Sequence, residues 1–126
     1  MRRGRGFTLI ELLVVLAIIA TLLTLAAPRY FQHVERSREA VLRENLATAR
    51  QAIDQYHADR GAWPESLESL VEARYLRALP VDPVTGRSDT WTLRPPPERE
   101  AQAAGVYDLR SGAAGSTGDG VPYADL

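Results

Sequence analysis

A chain of 126 residues with 15 basic and 16 acidic side chains, a formal net charge of −1 and 45% hydrophobic residues is long enough for one small domain plus one membrane span. The hydrophobic share excludes a wholly disordered chain, and the charge balance argues against nucleic-acid binding through a basic surface. There is no cysteine, which excludes disulfides, a thiolate nucleophile and a cysteine-based zinc site. Much of the apolar content falls before Pro28, so the core of any soluble part has to be small.

The chain opens with Arg2, Arg3 and Arg5, followed by an apolar run from Phe7 to Ala27 that Pro28 closes. As a helix those 21 residues reach about 31 Å, close to the thickness of a bilayer core. One residue of the run is charged. Glu11 stands four places after Phe7, and a carboxylate near a lipid-facing helix end costs roughly a few kcal/mol by insertion scales. If the chain is cut between Gly6 and Phe7, the new Phe7 amine is a natural mate for Glu11, within the same helix at i, i+4 or in a neighbouring copy. The other reading is a glutamate lying at the headgroup level. Arginines before the helix favour the amino end in the cytoplasm and the rest outside. A secretory signal peptide with a site between Leu25 and Pro28 is the rival reading; the early acidic residue and the length of the run count against it.

Gly6-Phe7-Thr8-Leu9-Ile10-Glu11-Leu12 resembles the class III signal sequence of type IV pilins and type II secretion pseudopilins. The resemblance rests on a short basic leader, a Gly–Phe junction, a glutamate at this spacing and an apolar helix. It implies that a prepilin peptidase removes residues 1–6 and that the Phe7 amine is then methylated. It also implies that Glu11 neutralises the Phe7 amine of an adjoining subunit during filament assembly. Loss of the three leader arginines would leave a net charge near −4. Many type IV pilins carry a carboxyl-terminal disulfide loop, so the absence of cysteine tilts the reading towards a pseudopilin.

Beyond Pro28 the helical period continues. Leu42, Leu46, Ala49, Ile53 and Tyr56 recur at three- and four-residue steps, while Arg36, Arg38, Glu39, Arg43, Glu44, Arg50 and Gln51 occupy the other face. The pattern predicts one amphipathic helix from Tyr30 to about Asp59, continuous with the apolar run and bent rather than ended by Pro28, with Glu39 paired to Arg43. His33 and His57 read as surface or packing residues, since no partner ligands are spaced with them. Gly61 predicts a C-cap. Leu67, Leu70, Val71 and Tyr75 predict a short helix starting near Pro64, a residue suited to a first turn. The run Leu79 to Gly86 predicts turns. Gly61-Ala62-Trp63-Pro64 resembles the pseudopilin pattern after the long helix, and Asp82-Pro83 followed by Gly86 resembles the Asp-Pro turn of the G-type members.

Thr90 to Arg94 and Val106 to Leu109 predict two strands, antiparallel and laid on the long helix, separated by Pro95-Pro96-Pro97 and a solvated loop at Glu98 to Glu100. A third short strand near the end is a further expectation. From Ser111 to Leu126, glycines and a proline predict a loop. Ser111-Gly112-Ala113-Ala114-Gly115 and Ala124-Asp125-Leu126 resemble the carboxyl-terminal calcium loop of the major pseudopilin, which makes Asp119 and Asp125 candidate calcium ligands in a site needing six to eight oxygens. The aspartate expected by that resemblance at position 114 is alanine here. With it missing, the residues favour a loop pinned by backbone hydrogen bonds and by packing of Tyr123 and Leu126.

The reading is an α+β, pilin-like fold: leader 1–6, membrane and assembly helix 7–27, and a periplasmic domain 28–126, of which 28–60 continue the helix and 111–126 form the carboxyl-terminal loop. No catalytic constellation, P-loop or dinucleotide glycine pattern is visible, which excludes the common enzyme classes by motif. The resemblance implies a structural subunit of a type II secretion pseudopilus, anchored in the inner membrane by a single pass and assembled into a periplasmic filament. Its partners would be copies of itself, minor pseudopilins, prepilin peptidase and an inner-membrane assembly platform. A minor type IV pilin of a surface pilus, and a membrane-tethered periplasmic domain keeping residues 1–6, are the alternatives.

Overall fold

The structure is a computed structural model and describes residues 4–100 and 103–126. The leader residues Arg2 and Arg3, on which the orientation of the span partly rests, lie outside the described residues. The chain divides into two compact units, Met1–Glu35 and Arg36–Leu126. One helix, α1 (Leu9–Arg60), has its first part in one unit and its second in the other. It continues through Pro28 as the period predicts. Its end lies at Arg60, where Gly61 takes φ 67° and returns its N–H to the His57 carbonyl, a left-handed C-cap that glycine adopts without a steric penalty.

In the first unit the helix begins at Leu9 rather than Phe7, because Thr8 supplies the cap. Leu9, Ile10, Leu13, Leu22 and Leu25 are exposed, and none of the apolar window is buried within the chain. By length and composition this stretch is able to cross a membrane. Its two threonines are satisfied within the helix: Thr21 Oγ1 donates to the Ala17 carbonyl and Thr24 Oγ1 to the Ala20 carbonyl, each at 2.8 Å. Hydroxyls bonded in this way leave neither threonine with an unmet donor on the apolar surface.

In the second unit, α1 buries Leu42, Leu46, Ala49, Ala52 and Ile53. They meet Leu67 and Leu70 of the short helix α2 (Leu67–Glu72), together with Leu76, Trp91, Val106, Leu109, Ala113 and Tyr123. Helix α2 starts three residues later than its expected position near Pro64. Pro64 is buried and lends its carbonyl to the Val106 N–H, while Ser66 caps the helix through its side chain to the Ser69 N–H.

Strands β1 (Trp91–Arg94) and β2 (Asp108–Ser111) form an antiparallel pair in which Trp91 faces Ser111 and Arg94 faces Asp108. The second strand lies two residues beyond the expected Val106 to Leu109. Val106 is spent on the core and on Pro64, and Tyr107 N–H reaches the Arg94 carbonyl just outside the ladder. Among the described residues no third strand forms; the chain end makes a bridge between Ser116 and Pro122 and one 3-10 turn, Tyr123–Asp125. Glu98–Glu100, expected as loop, is likewise a single 3-10 turn.

Candidate functional site

The amino-terminal candidates are brought into one small assembly. Gly6 and Phe7 precede the helix and are exposed, Phe7 by 86%. A side chain built on Gly6 would meet nothing within 4 Å, so the Gly6–Phe7 peptide bond stands clear of the fold. Thr8 and Glu11 then form a reciprocal cap. The Glu11 N–H donates to Thr8 Oγ1 at 3.2 Å and the Thr8 N–H donates to Glu11 Oε2 at 3.0 Å. This pairing of a cap threonine with a glutamate three residues on satisfies two backbone donors that the first turn leaves open, and places a carboxylate at the positive end of the helix dipole. In the uncut chain the carboxylate therefore has a partner inside its own first turn. The Phe7 amine expected as a mate for Glu11 belongs to a cut chain; the Thr-x-x-Glu spacing is the signal that leads to Thr8.

The carboxyl-terminal candidates are arranged differently. Asp119 and Asp125 are both exposed, and no group of three or more His, Asp or Glu side chains among the described residues is arranged to hold a metal ion. Ser111 is not a loop residue. It ends β2, is buried, and donates its hydroxyl to Oδ2 of the wholly buried Asp82. Asp82 Oδ1 in turn accepts from the Val84 N–H at 2.8 Å and the Thr85 N–H at 3.4 Å. The Asp-Pro turn is thus fastened to β2 through one carboxylate, a role that the turn composition alone did not indicate.

Two charged residues placed by periodicity on the solvent face of α1 also turn towards the domain. Arg50 donates from Nε to Asp108 Oδ1 at 2.7 Å, and from Nη2 to the Leu109 carbonyl at 3.0 Å and the Leu126 carbonyl at 2.8 Å. Glu39, expected to pair with Arg43, accepts from the Gly118 N–H. His57 is a packing residue, its ring 3.7 Å from that of Trp63.

The prokaryotic N-terminal methylation motif matches residues 1–27, the stretch that carries Gly6, Phe7, Thr8 and Glu11. Type II secretion system core protein G of Escherichia coli (strain K12) is 32% identical over 125 residues, an alignment covering 86% of this chain and 81% of that protein. The chain belongs to the core protein G family. Pilins also match, over less of their length. Fimbrial protein EcpC of Eikenella corrodens is 33% identical over 82 residues, 61% of this chain and 54% of that protein. A type IV major pilin protein, PilE1 of Neisseria gonorrhoeae, is 33% identical over 89 residues, 62% of this chain and 48% of that protein. The chain spans about half the length of these pilins and about four-fifths of the Escherichia coli core protein G. No solved structure matches. The core protein G assignment accords with the long helix carrying a small domain with a two-stranded antiparallel sheet, and its relatives are structural pilin and pseudopilin proteins.

Proposed function

We propose that this chain is a structural subunit of a type II secretion pseudopilus, held in the inner membrane through residues 7–27 until it is drawn into a periplasmic filament. The observation that carries the reading is the exposed apolar helix with a single acidic residue in its first turn, directly after a clear Gly6–Phe7 junction. Prepilin peptidase would cut at that junction and the Phe7 amine would be methylated. The new amine then competes with Thr8 for the Glu11 carboxylate. Assembly exchanges lipid for neighbouring helices, where van der Waals packing supplies the association and an unmatched charge is penalised. Pairing of Glu11 with the Phe7 amine of an adjoining subunit sets the axial register. Other partners of this reading are minor pseudopilins and the inner-membrane assembly platform.

The test is Glu11→Ala in cells carrying the assembly machinery. Thr8 Oγ1 still accepts the N–H of residue 11, so the helix start survives and membrane insertion stays intact. Filament yield, read by electron microscopy and by intersubunit cross-linking, drops at least tenfold. Filaments formed at the normal level and register would contradict the role given to Glu11. A second reading, a minor type IV pilin, is favoured by the pilin matches; export restored in a secretion mutant lacking its own core protein G, with no surface pili made, would set it aside.

A further inference from the structure

The resemblance of the carboxyl-terminal loop to a calcium loop meets a different arrangement here. Calcium takes six to eight oxygen ligands, supplied by carboxylates and by carbonyls left free to turn towards the ion. In this loop five carbonyls already accept a backbone hydrogen bond. The Gly115 carbonyl accepts from Tyr123 N–H, Thr117 from Gly120 N–H, Val121 from Thr117 N–H, Pro122 from Asp125 N–H and Tyr123 from Leu126 N–H. Buried Thr117 adds its hydroxyl as acceptor for the Val121 N–H. The Gly118 N–H is taken by Glu39, so this acidic side chain of α1 is itself engaged.

A cation is nevertheless present, and it belongs to the chain. The Arg50 guanidinium collects Asp108 Oδ1 and the carbonyls of Leu109 and Leu126. Arg110 approaches from β2, its Nη1 3.5 Å from the Ala124 carbonyl and its Nε 3.9 Å from Asp108 Oδ2. The carbonyls on either side of Asp125 are therefore the ones that face guanidinium groups. Two fixed positive charges beside Asp108 and the chain end raise the cost of bringing in a divalent ion by like-charge repulsion. The planar fork of arginine is suited to gathering several oxygens at once, which a lysine ammonium is not.

We infer that the carboxyl-terminal loop of this protein closes without calcium, with Arg50 doing as an internal cation what a bound metal ion would otherwise do. The loop then stays shut at any calcium level. This goes beyond the filament reading and does not depend on it, since it concerns the folding of one subunit.

The experiment uses the full chain extracted in mild detergent. Both tryptophans, Trp63 and Trp91, lie in the domain that carries the loop, so their fluorescence follows domain unfolding without interference from the apolar helix. Melting is recorded with EDTA and with millimolar calcium chloride, for the wild type, Arg50→Gln and Arg50→Lys, alongside limited proteolysis read by mass spectrometry over residues 111–126. The wild type melts at the same temperature in both media and keeps this segment uncut in both. Arg50→Gln melts several degrees lower and is cut within the segment, calcium making no difference; Arg50→Lys falls between. A wild-type melting point that rises by several degrees with calcium, or one calcium ion bound per chain by isothermal titration, would overturn the inference. So would an Arg50→Gln protein with unchanged melting and unchanged protection.

Discussion

Glu11 and Arg50 sit at opposite ends of the chain's chemistry and follow one rule: a charge beside apolar surface needs a matched donor or acceptor. Glu11 takes the Thr8 N–H, and Arg50 takes three oxygens of the domain edge. Asp82 is the buried case, with both oxygens hydrogen-bonded. A fourth group gives a prediction of its own. Tyr75 donates its hydroxyl to Asp59 Oδ2 at 2.8 Å, and this bond to a carboxylate holds its proton, so its pKa lies above the ordinary 10.0, with desolvation adding in the same direction. A raised pKa in the folded state means that the bond's contribution is fully present below the ordinary tyrosine pKa and fades as pH rises through the higher folded value. Ultraviolet titration at the phenolate band, with Tyr75→Phe to identify its signal, therefore shows Tyr75 ionising above the ordinary value, and Asp59→Asn brings it back down. A Tyr75 that still ionises late in Asp59→Asn would remove Asp59 as the cause.

At the scale of elements, the hairpin of β1 and β2 depends on a close approach at its end. A side chain on Gly112 would place its Cβ 2.0 Å from the Thr90 carbonyl oxygen, a clash with backbone that no rotamer relieves. Gly112→Ala is expected to destabilise the domain by about 1–3 kcal/mol, the range typical of overpacking, read by denaturant unfolding of the full chain in detergent. Stability within about 0.5 kcal/mol of wild type would mean that Thr90 and Gly112 separate freely. What was legible beforehand followed from periodicity. Leu42, Leu46, Ala49 and Ile53 lie three and four apart, and all are buried. Their count of turns also carried the helix past Pro28. The strands were less legible, because β2 is Asp-Leu-Arg-Ser and only Leu109 in it is apolar; its register comes from Trp91 facing Ser111, a contact between residues far apart in sequence. The roles of Arg50, Glu39 and Asp82 were hidden for the same reason. A helical wheel places Arg50 on the polar face, and only the folded path of residues 108–126 brings the acceptors to it.

The whole molecule, a chain of the core protein G family, combines an exposed apolar helix with a small domain that fastens itself through side-chain contacts. In the proposed function residues 1–6 are a leader and Phe7 becomes the first residue of the working subunit. The most direct measurement is the intact mass and amino-terminal peptide of membrane-extracted protein, made with and without an active prepilin peptidase, with Gly6→Leu as the blocked control. The expected result is a chain beginning at N-methylated Phe7 when the peptidase is present, and an unprocessed chain in its absence or in Gly6→Leu. A chain still carrying residues 1–6 beside an active peptidase, or one cut equally in Gly6→Leu, would contradict it and favour a permanently tethered domain.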